Sequence, residues 1–340
     1  MSFLPYLHRV TSHAPLNADE SEAALGLILS GDVSAPLIAA FLVALRMKGE
    51  TQNEILGFAR AMRARSLRVN VSDIRKPVLD TCGTGGDTSG SFNISTVAAL
   101  VVAGAGVPVA KHGNRSMASH CGSADILEAL GVKIALTPDR MADCIRHAGI
   151  GFLFAPALHP AMKHAQPTRG ELKMRTALNL LGPLTNPAGA KFQLIGAPSE
   201  SAARLMAAAL AELGTGRAFV VYGSDGMDEI TTTGSTLVLE VAHDRVAEHV
   251  WLPSDFGIAR ASLSDLAAPT KEDNLRIARA VLAGELGPCR DIVLINSAAA
   301  LLAAGFADSP RNGVILAEQS IDSKAALDRL NLLVIESNKS

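Results

Sequence analysis

The sequence predicts an α/β protein in two parts. A small helical domain covers residues 1–70, completed by helices within about 160–185, and a larger α/β domain covers residues 75–340, its central and mostly parallel sheet flanked by helices. Two patterns predict this. Up to about residue 70 the apolar positions keep helical spacing with no alternating segment between them. Beyond Pro77 short apolar runs alternate with helical stretches, as parallel strands joined by crossovers require. The 340 residues also suit two domains at about 150 residues each. With 48% hydrophobic against 19% charged residues, disorder is ruled out over most of the length.

Taken in order, Asn17 with Glu20 three residues on forms a capping box, opening a helix that stops near Gly31. Ser34 opens a second helix carrying Leu37, Ile38, Phe41, Leu42 and Leu45, and it ends before Gly49. Thr51 with Glu54 repeats the box and starts a third, to about Arg65. Strands are expected at 78–80, 107–110, 132–134, 152–154 and 218–222, with helices at 123–130 and 199–213. Residues 235–251 alternate as two strands about a turn at His243-Asp244, and helices return from about Lys271. The Pro/Gly-rich stretch from Pro167 to Gly189 is the candidate crossing between the two bodies.

Composition excludes several function classes. The net charge is -2 with no long basic run, so neither nucleic acid nor a membrane surface is an expected partner. Cys82, Cys121, Cys144 and Cys289 are scattered, which argues against a disulfide framework and points to a reducing compartment. His112, His120, His159 and His164 give no helix-face pair, so zinc is set aside. No signal peptide is expected from residues 1–10, and a cytoplasmic location follows. Only 4% of residues are aromatic while glycines number 29, favouring sites built from backbone.

The densest chemical signal is the run from Asp80 to Thr96, which follows a strand and leads into an apolar helix. Gly83, Gly85 and Gly86 let the backbone turn sharply and aim N–H groups at a ligand, while Asn93, Ser95 and Thr96 stand at a helix start. Phosphate or diphosphate binding is the expectation; Asp87 inside such a loop must face a cation or a sugar hydroxyl. The run is neither a Walker A loop nor a dinucleotide fingerprint. A second cluster, Lys111-His112-Gly113-Asn114-Arg115-Ser116-Met117-Ala118-Ser119, packs cations, an amide and hydroxyls behind another strand, where α/β ligands bind. Ser123 beyond it reads as a helix N-cap. A third cluster, residues 222–229, offers Asp228 and Glu229 to a hard divalent ion bridging to phosphates; by chemistry alone Asp225 is an equal candidate. A fourth, residues 159–189, holds Arg169, Arg175 and Asn179, and Arg169 is placed to grip an acidic substrate group.

Together, Gly-Thr-Gly-Gly-Asp87, Asn-Ile-Ser-Thr96, Lys-His-Gly-Asn-Arg115, Gly-Ser-Ala-Asp125, Asn-Leu-Leu-Gly-Pro-Leu-Thr-Asn-Pro187 and Asp-Gly-Met-Asp-Glu229 resemble the anthranilate phosphoribosyltransferases, over nearly the whole chain. The resemblance implies transfer of a phosphoribosyl group from 5-phosphoribosyl 1-diphosphate to the amine of anthranilate, in tryptophan biosynthesis. It implies a homodimer through the helical domain and Mg²⁺, as two ions. By matching motifs, Gly83, Gly86, Asp87, Ser91, Asn93, Ile94, Ser95, Thr96, Lys111, His112, Gly113, Asn114, Arg115, Ser119 and Ser123 would line the donor. Ser95, Asp228 and Glu229 would hold the metal, and Gly83, Asn114, His112, His159 and Arg169 would meet anthranilate. An aromatic amine is already a nucleophile, so no general base is required; Lys111 and Mg²⁺ would stabilise the transition state. The chain departs from the usual family pattern at Lys173, where Gly is usual, at Ala177, where an aromatic is common, and at Tyr222, where His is frequent. A nucleoside phosphorylase of the same fold and a non-catalytic nucleic-acid-binding relative are the rival readings.

Overall fold

The computed structural model describes residues 2–85, 90–115 and 121–339; Gly86, Asp87 and Ser119 lie outside these residues. Four helices come first: α1 (Leu4–Thr11), α2 (Ala18–Ser30), α3 (Ala35–Lys48) and α4 (Gln52–Ala64). Both expected capping boxes form, the first with Glu20 N–H donating to Asn17 Oδ1 at 2.8 Å and Asn17 N–H to Glu20 Oε2 at 2.9 Å. Helix α2 stops at Gly31, in the left-handed region at φ 84°. Gly57 of α4 permits its close approach to α2, since a Cβ there would lie 2.1 Å from the Ala18 carbonyl oxygen. Helix α1 is an element the sequence reading did not anticipate.

The α/β part continues with β1 (Leu79–Gly83), α5 (Ile94–Gly104), β2 (Val109–Gly113), α6 (Ser123–Ala129), α7 (Pro138–Ala148), β3 (Ile150–Phe154), α8 (Ala155–Leu158) and α9 (Gln166–Leu172). After short 3-10 turns come β4 (Phe192–Gly196), α10 (Glu200–Glu212), β5 (Arg217–Gly223), β6 (Thr236–Ala242) and β7 (Arg245–Trp251). Helices α11 (Lys271–Leu282), α12 (Pro288–Ala303), α13 (Pro310–Asp322) and α14 (Ala325–Asn338) close the chain. The seven strands lie in the order β3-β2-β1-β4-β5-β6-β7, with the first five parallel and β6 and β7 antiparallel. The β6–β7 hairpin turns at His243 and Asp244, both at positive φ, as a two-residue loop demands.

Three expectations need correction. Residues 132–134 form no strand; the Val132 N–H closes onto Leu127 O behind α6 and the Lys133 N–H donates to Ser337 Oγ of the last helix, so their apolar side chains are buried without a sheet partner. The strand expected from Val107 starts at Val109, because Pro108 has no N–H for a ladder; its carbonyl accepts from Leu79 N–H instead. Strand β4 was not expected at all, yet it sits at the sheet's centre.

One apolar core lies on the side of the sheet covered by α5, α12 and α14. The other runs from Phe41, Leu45 and Phe58 of the bundle through Leu181 and Leu184 of the crossing segment to α10 and to Ile195 and Val220 of the sheet. The bundle and the segment after α9 therefore share one apolar interior against the sheet's second face. Among the described residues, no helix is long and apolar enough to cross a membrane.

Candidate active site at the carboxyl ends of the parallel strands

Strand order reverses direction between β1 and β4, which makes the crevice beyond their carboxyl ends the natural ligand position in such a sheet. The two strands end in register on glycines, Gly83 opposite Gly196. Asp228, from the loop after β5, sits on both. A Cβ at Gly196 would lie 1.7 Å from the Asp228 carbonyl oxygen, and one at Gly83 would lie 2.6 Å from Asp228 Oδ2. No larger residue fits at Gly196 without displacing that loop.

The loop itself assigns its three acids different tasks. Asp225 accepts hydrogen bonds from Thr231 Oγ1, Thr233 Oγ1 and the Met227 N–H, so its carboxylate is consumed in shaping the turn. Asp228, buried, stands over the strand ends, and the adjacent Glu229 is half-buried. Beyond them, buried Asn296 of α12 holds the Ile230 N–H and carbonyl at 3.0 and 2.9 Å.

Lys111, the third residue of β2, is almost fully buried, and its Nζ donates to Thr81 O and to Ser95 Oγ at 3.3 Å. Burial lowers its pKa, while Asp80, Cys82 and Glu229 oppose that shift, so Glu229 lies within electrostatic reach of the ammonium. Asp80 is fully buried and accepts the His112 N–H at 3.0 Å and Asn186 Nδ2 at 2.8 Å. Asn186 also donates to Ala110 O, which ties the crossing segment to β1 and β2. Burial of Cys82 pushes its thiol well up, leaving it protonated and inert.

Helix α5 opens at Asn93 with no side-chain cap; the Ile94 N–H donates to Phe92 O at 2.7 Å and the Thr96 N–H to Asn93 O at 3.1 Å, with Ser95 between them. Asn274 of α11 accepts the Asn93 N–H at 2.9 Å and anchors this start. Thr84 Oγ1, Asn93 Oδ1 and Thr96 Oγ1 are buried polar atoms without a hydrogen-bond partner among the described residues, a set that a polar ligand would complete. Ser91 forms an isolated bridge with Ala267 on the rim.

The second cluster is divided. Gly113 is required where it stands, since a Cβ would meet Ser123 Oγ at 2.3 Å and the Phe152 ring at 2.6 Å. Ser123 is not the N-cap: Gly122 caps α6, through Asp125, and the Ser123 hydroxyl donates to Asn114 O. Asn114 and Arg115 are exposed, and the Arg115 guanidinium is held by Glu128 and Asp125 of α6, which raise its pKa.

On the other side of the crevice the rings of His112 and His159 pack 5.1 Å apart. His112 Nδ1 lies 3.0 Å from Gly182 O, while its Nε2 and both ring nitrogens of His159 have no partner among the described residues. Burial keeps both neutral, holding His159 at a pKa of about 3 with His112 adding to the effect. Arg169, on α9, has no carboxylate in ion-pair range among the described residues; its Nη1 lies 3.4 Å from Gln166 Oε1, and burial lowers its pKa. Arg175 reaches across to Gly85 O at 3.4 Å, joining this side to the glycine-rich turn. Lys173 ends α9 at φ 47°, a left-handed position that glycine adopts at no cost.

Two carboxylates, a serine hydroxyl beside a buried lysine and orphaned hydroxyls suit a hard divalent ion that keeps some of its oxygens from a phosphorylated ligand. Among the described residues, no three His, Cys, Asp or Glu side chains gather as a self-sufficient metal site. Sequence reasoning missed Gly196, Asn274 and Asn296, and quoted Asp80 and Asn186 without giving them a task. Asn296, a lone amide inside the apolar run from Ile292 to Leu302, was a visible signal.

Comparison with known proteins matches the same regions. A glycosyl transferase family model for a helical bundle domain covers residues 4–66, and its a/b domain model covers residues 75–327. The anthranilate phosphoribosyltransferase of Solibacter usitatus is 58% identical, over 98% of both chains. That of Moorella thermoacetica is 52% identical over 96% of each. Among solved structures, the enzyme from Thermus thermophilus superposes with a TM-score of 0.91 at 41% identity, covering 98% of this chain and 99% of its own. The Saccharomyces cerevisiae enzyme, in complex with PRPP and Mg, gives 0.89 at 29% identity, covering 98% and 97%.

Proposed function

Because the chain belongs to the anthranilate phosphoribosyltransferase family, we propose that it transfers the phosphoribosyl group of 5-phosphoribosyl 1-diphosphate to the amine of anthranilate with release of pyrophosphate. The observation that carries this reading is the seating of Asp228 over Gly83 and Gly196, beside the Lys111–Ser95 pair at the start of α5. The bond from ribose C1 to the pyrophosphate oxygen breaks, the bond from C1 to the amine nitrogen forms, and the nitrogen loses a proton. Positive charge builds on the sugar and negative charge on the leaving group, so fixed donors aimed at the leaving group are the chief requirement.

On this reading Gly83, Gly86, Asp87, Ser91, Asn93, Ile94, Ser95, Thr96, Lys111, His112, Gly113, Asn114, Arg115, Ser119 and Ser123 line the donor. Ser95, Asp228 and Glu229 hold Mg²⁺, as two ions. When bound, the metal supplies charge neutralisation at the diphosphate oxygens. Lys111, buried and oriented by Thr81 and Ser95, adds a fixed positive charge. Arg169 takes the anthranilate carboxylate, and neutral His112 and His159, with Gly83 and Asn114, meet its ring and amine. Because His159 stays uncharged, it neither repels the developing sugar cation nor protonates the nucleophile.

Residues 1–70 with 160–185 act as one domain and residues 75–340 as the donor-binding domain, and the site opens between them. The protein is a cytoplasmic homodimer joined through its helical domain, where Leu4 of α1 and Met47 of α3 are exposed by 44% and 74%. The test is depletion of anthranilate fluorescence by the purified protein with donor and Mg²⁺. Turnover that requires both supports the proposal; metal-independent phosphorolysis of a nucleoside, with anthranilate untouched, overturns it.

A further inference from the structure

Resting on that reading of the metal carboxylates, we propose that Asn296 is a positioning residue that sets the geometry of Asp228 and Glu229 for the divalent ion. Asn296 sits on α12 with 1% of its surface exposed and does not itself face the crevice ligands. Its Oδ1 accepts the Ile230 N–H at 3.0 Å, and its Nδ2 donates to the Ile230 carbonyl and to Ile292 O, both at 2.9 Å. One amide thus holds both polar groups of the residue directly after Glu229. That fixes the peptide planes on both sides of Ile230, the first of which carries the Glu229 carbonyl, and so anchors the backbone from which the carboxylates project.

The other end of the acidic pair is fixed independently. Asp225 gathers Thr231, Thr233 and the Met227 N–H, and the Gly223 N–H donates to Met227 O at 2.8 Å. Met227 and Ile230, flanking the pair, are both buried. Asp228 and Glu229 therefore lie between two anchored ends, one made by the loop itself and one supplied by α12. A small, hard ion such as Mg²⁺ demands near-octahedral oxygen geometry, so a loosened carboxylate pair loses affinity for it. A side chain chosen only to satisfy a buried helix would not need to read both groups of a single loop residue.

The experiment is calorimetric titration of Mg²⁺ into protein preloaded with 5-phosphoribosyl 1-diphosphate, without anthranilate so that nothing turns over. Asn296→Ala should weaken Mg²⁺ binding about 10–100-fold, the usual scale for groups that orient metal ligands, with the KM for anthranilate within twofold of wild type. Ser297→Ala, the next residue on the same buried helix, should bind Mg²⁺ as wild type does. Where Asn296→Ala does not fold, Asn296→Asp replaces it, keeping the acceptor for Ile230 N–H but losing the donor, and is judged by the same criteria. Wild-type Mg²⁺ affinity in the Asn296 variant overturns the inference when the Asp228→Ala/Glu229→Ala control has lost binding. Wild-type affinity in that control instead overturns the metal assignment beneath it.

Discussion

The two walls of the crevice are built on opposite principles. On the donor wall the charged and amide groups are already held, Lys111 by Thr81 and Ser95, Asp80 by His112 and Asn186, Asn93 N–H by Asn274 and Ile230 by Asn296, and the groups without a partner among the described residues are Thr84 Oγ1, Asn93 Oδ1 and Thr96 Oγ1. On the acceptor wall the buried groups without a partner among the described residues are His112 Nε2 at the end of β2, both nitrogens of His159 beside a short turn and Thr168 Oγ1 on the seven-residue α9. On the proposed function, the difference follows from the ligands. A diphosphate develops charge during reaction, so its surroundings must be fixed beforehand, with no reorganisation left to make. A flat aromatic acid gains most when it supplies the missing partners of buried donors and acceptors.

That contrast can be broken at several points. The largest effect is expected from Asp228→Ala/Glu229→Ala, which should lower kcat/KM by about a thousandfold or more, with a circular dichroism spectrum like the wild type. Loss of tertiary signal in that variant would show the pair to be structural. Arg169→Ala should raise the KM for anthranilate about 10–100-fold, the value of a hydrogen bond to a charged group, and leave the donor KM within twofold. Equal rises in both would dissolve the division between the walls.

Acid should expose the acceptor wall. His159 is held at a pKa of about 3, below the usual 6.5, so the unfolded chain takes up this proton first. Stability is complete above about pH 6.5 and is lost as pH falls from there toward 3. Between pH 7 and pH 4.5 this one group costs about 2–3 kcal/mol, and urea unfolding of His159→Gln should lack that part of the acid slope. The smallest effect belongs to Lys173→Gly. Relieving a left-handed lysine at the end of α9 should add about 0.5–1 kcal/mol to stability, readable as a higher urea midpoint, without changing kcat.

Legibility in the sequence follows the same divide. Glycines and hydroxyls bunched behind a strand announce an anion site, because few other tasks require that composition, and Gly83, Ser95 and Thr96 do lie at the crevice. Asp225 and Asp228 looked interchangeable, since only the folded loop shows which carboxylate its own threonines consume. Strand β4 was hidden because Phe192–Gly196 carries Gln193 at its second position, a polar residue whose amide is buried on Pro183 O. Residues 132–134 imitated a strand because burial against the last helix produces the same apolar alternation. Asn186, Asn274 and Asn296 act over 106, 181 and 66 residues of chain, and no local pattern records a contact of that span.

The central claim of the proposed function is that diphosphate-bound metal is held at the joined ends of β1 and β4. A crystal of the protein with 5-phosphoribosyl 1-diphosphate and Mn²⁺, measured for anomalous scattering, tests it most directly. An anomalous peak bonded to Asp228 or Glu229, with the diphosphate against the start of α5, is the expected result. A peak coordinated elsewhere, with these carboxylates turned away from it, would contradict the account.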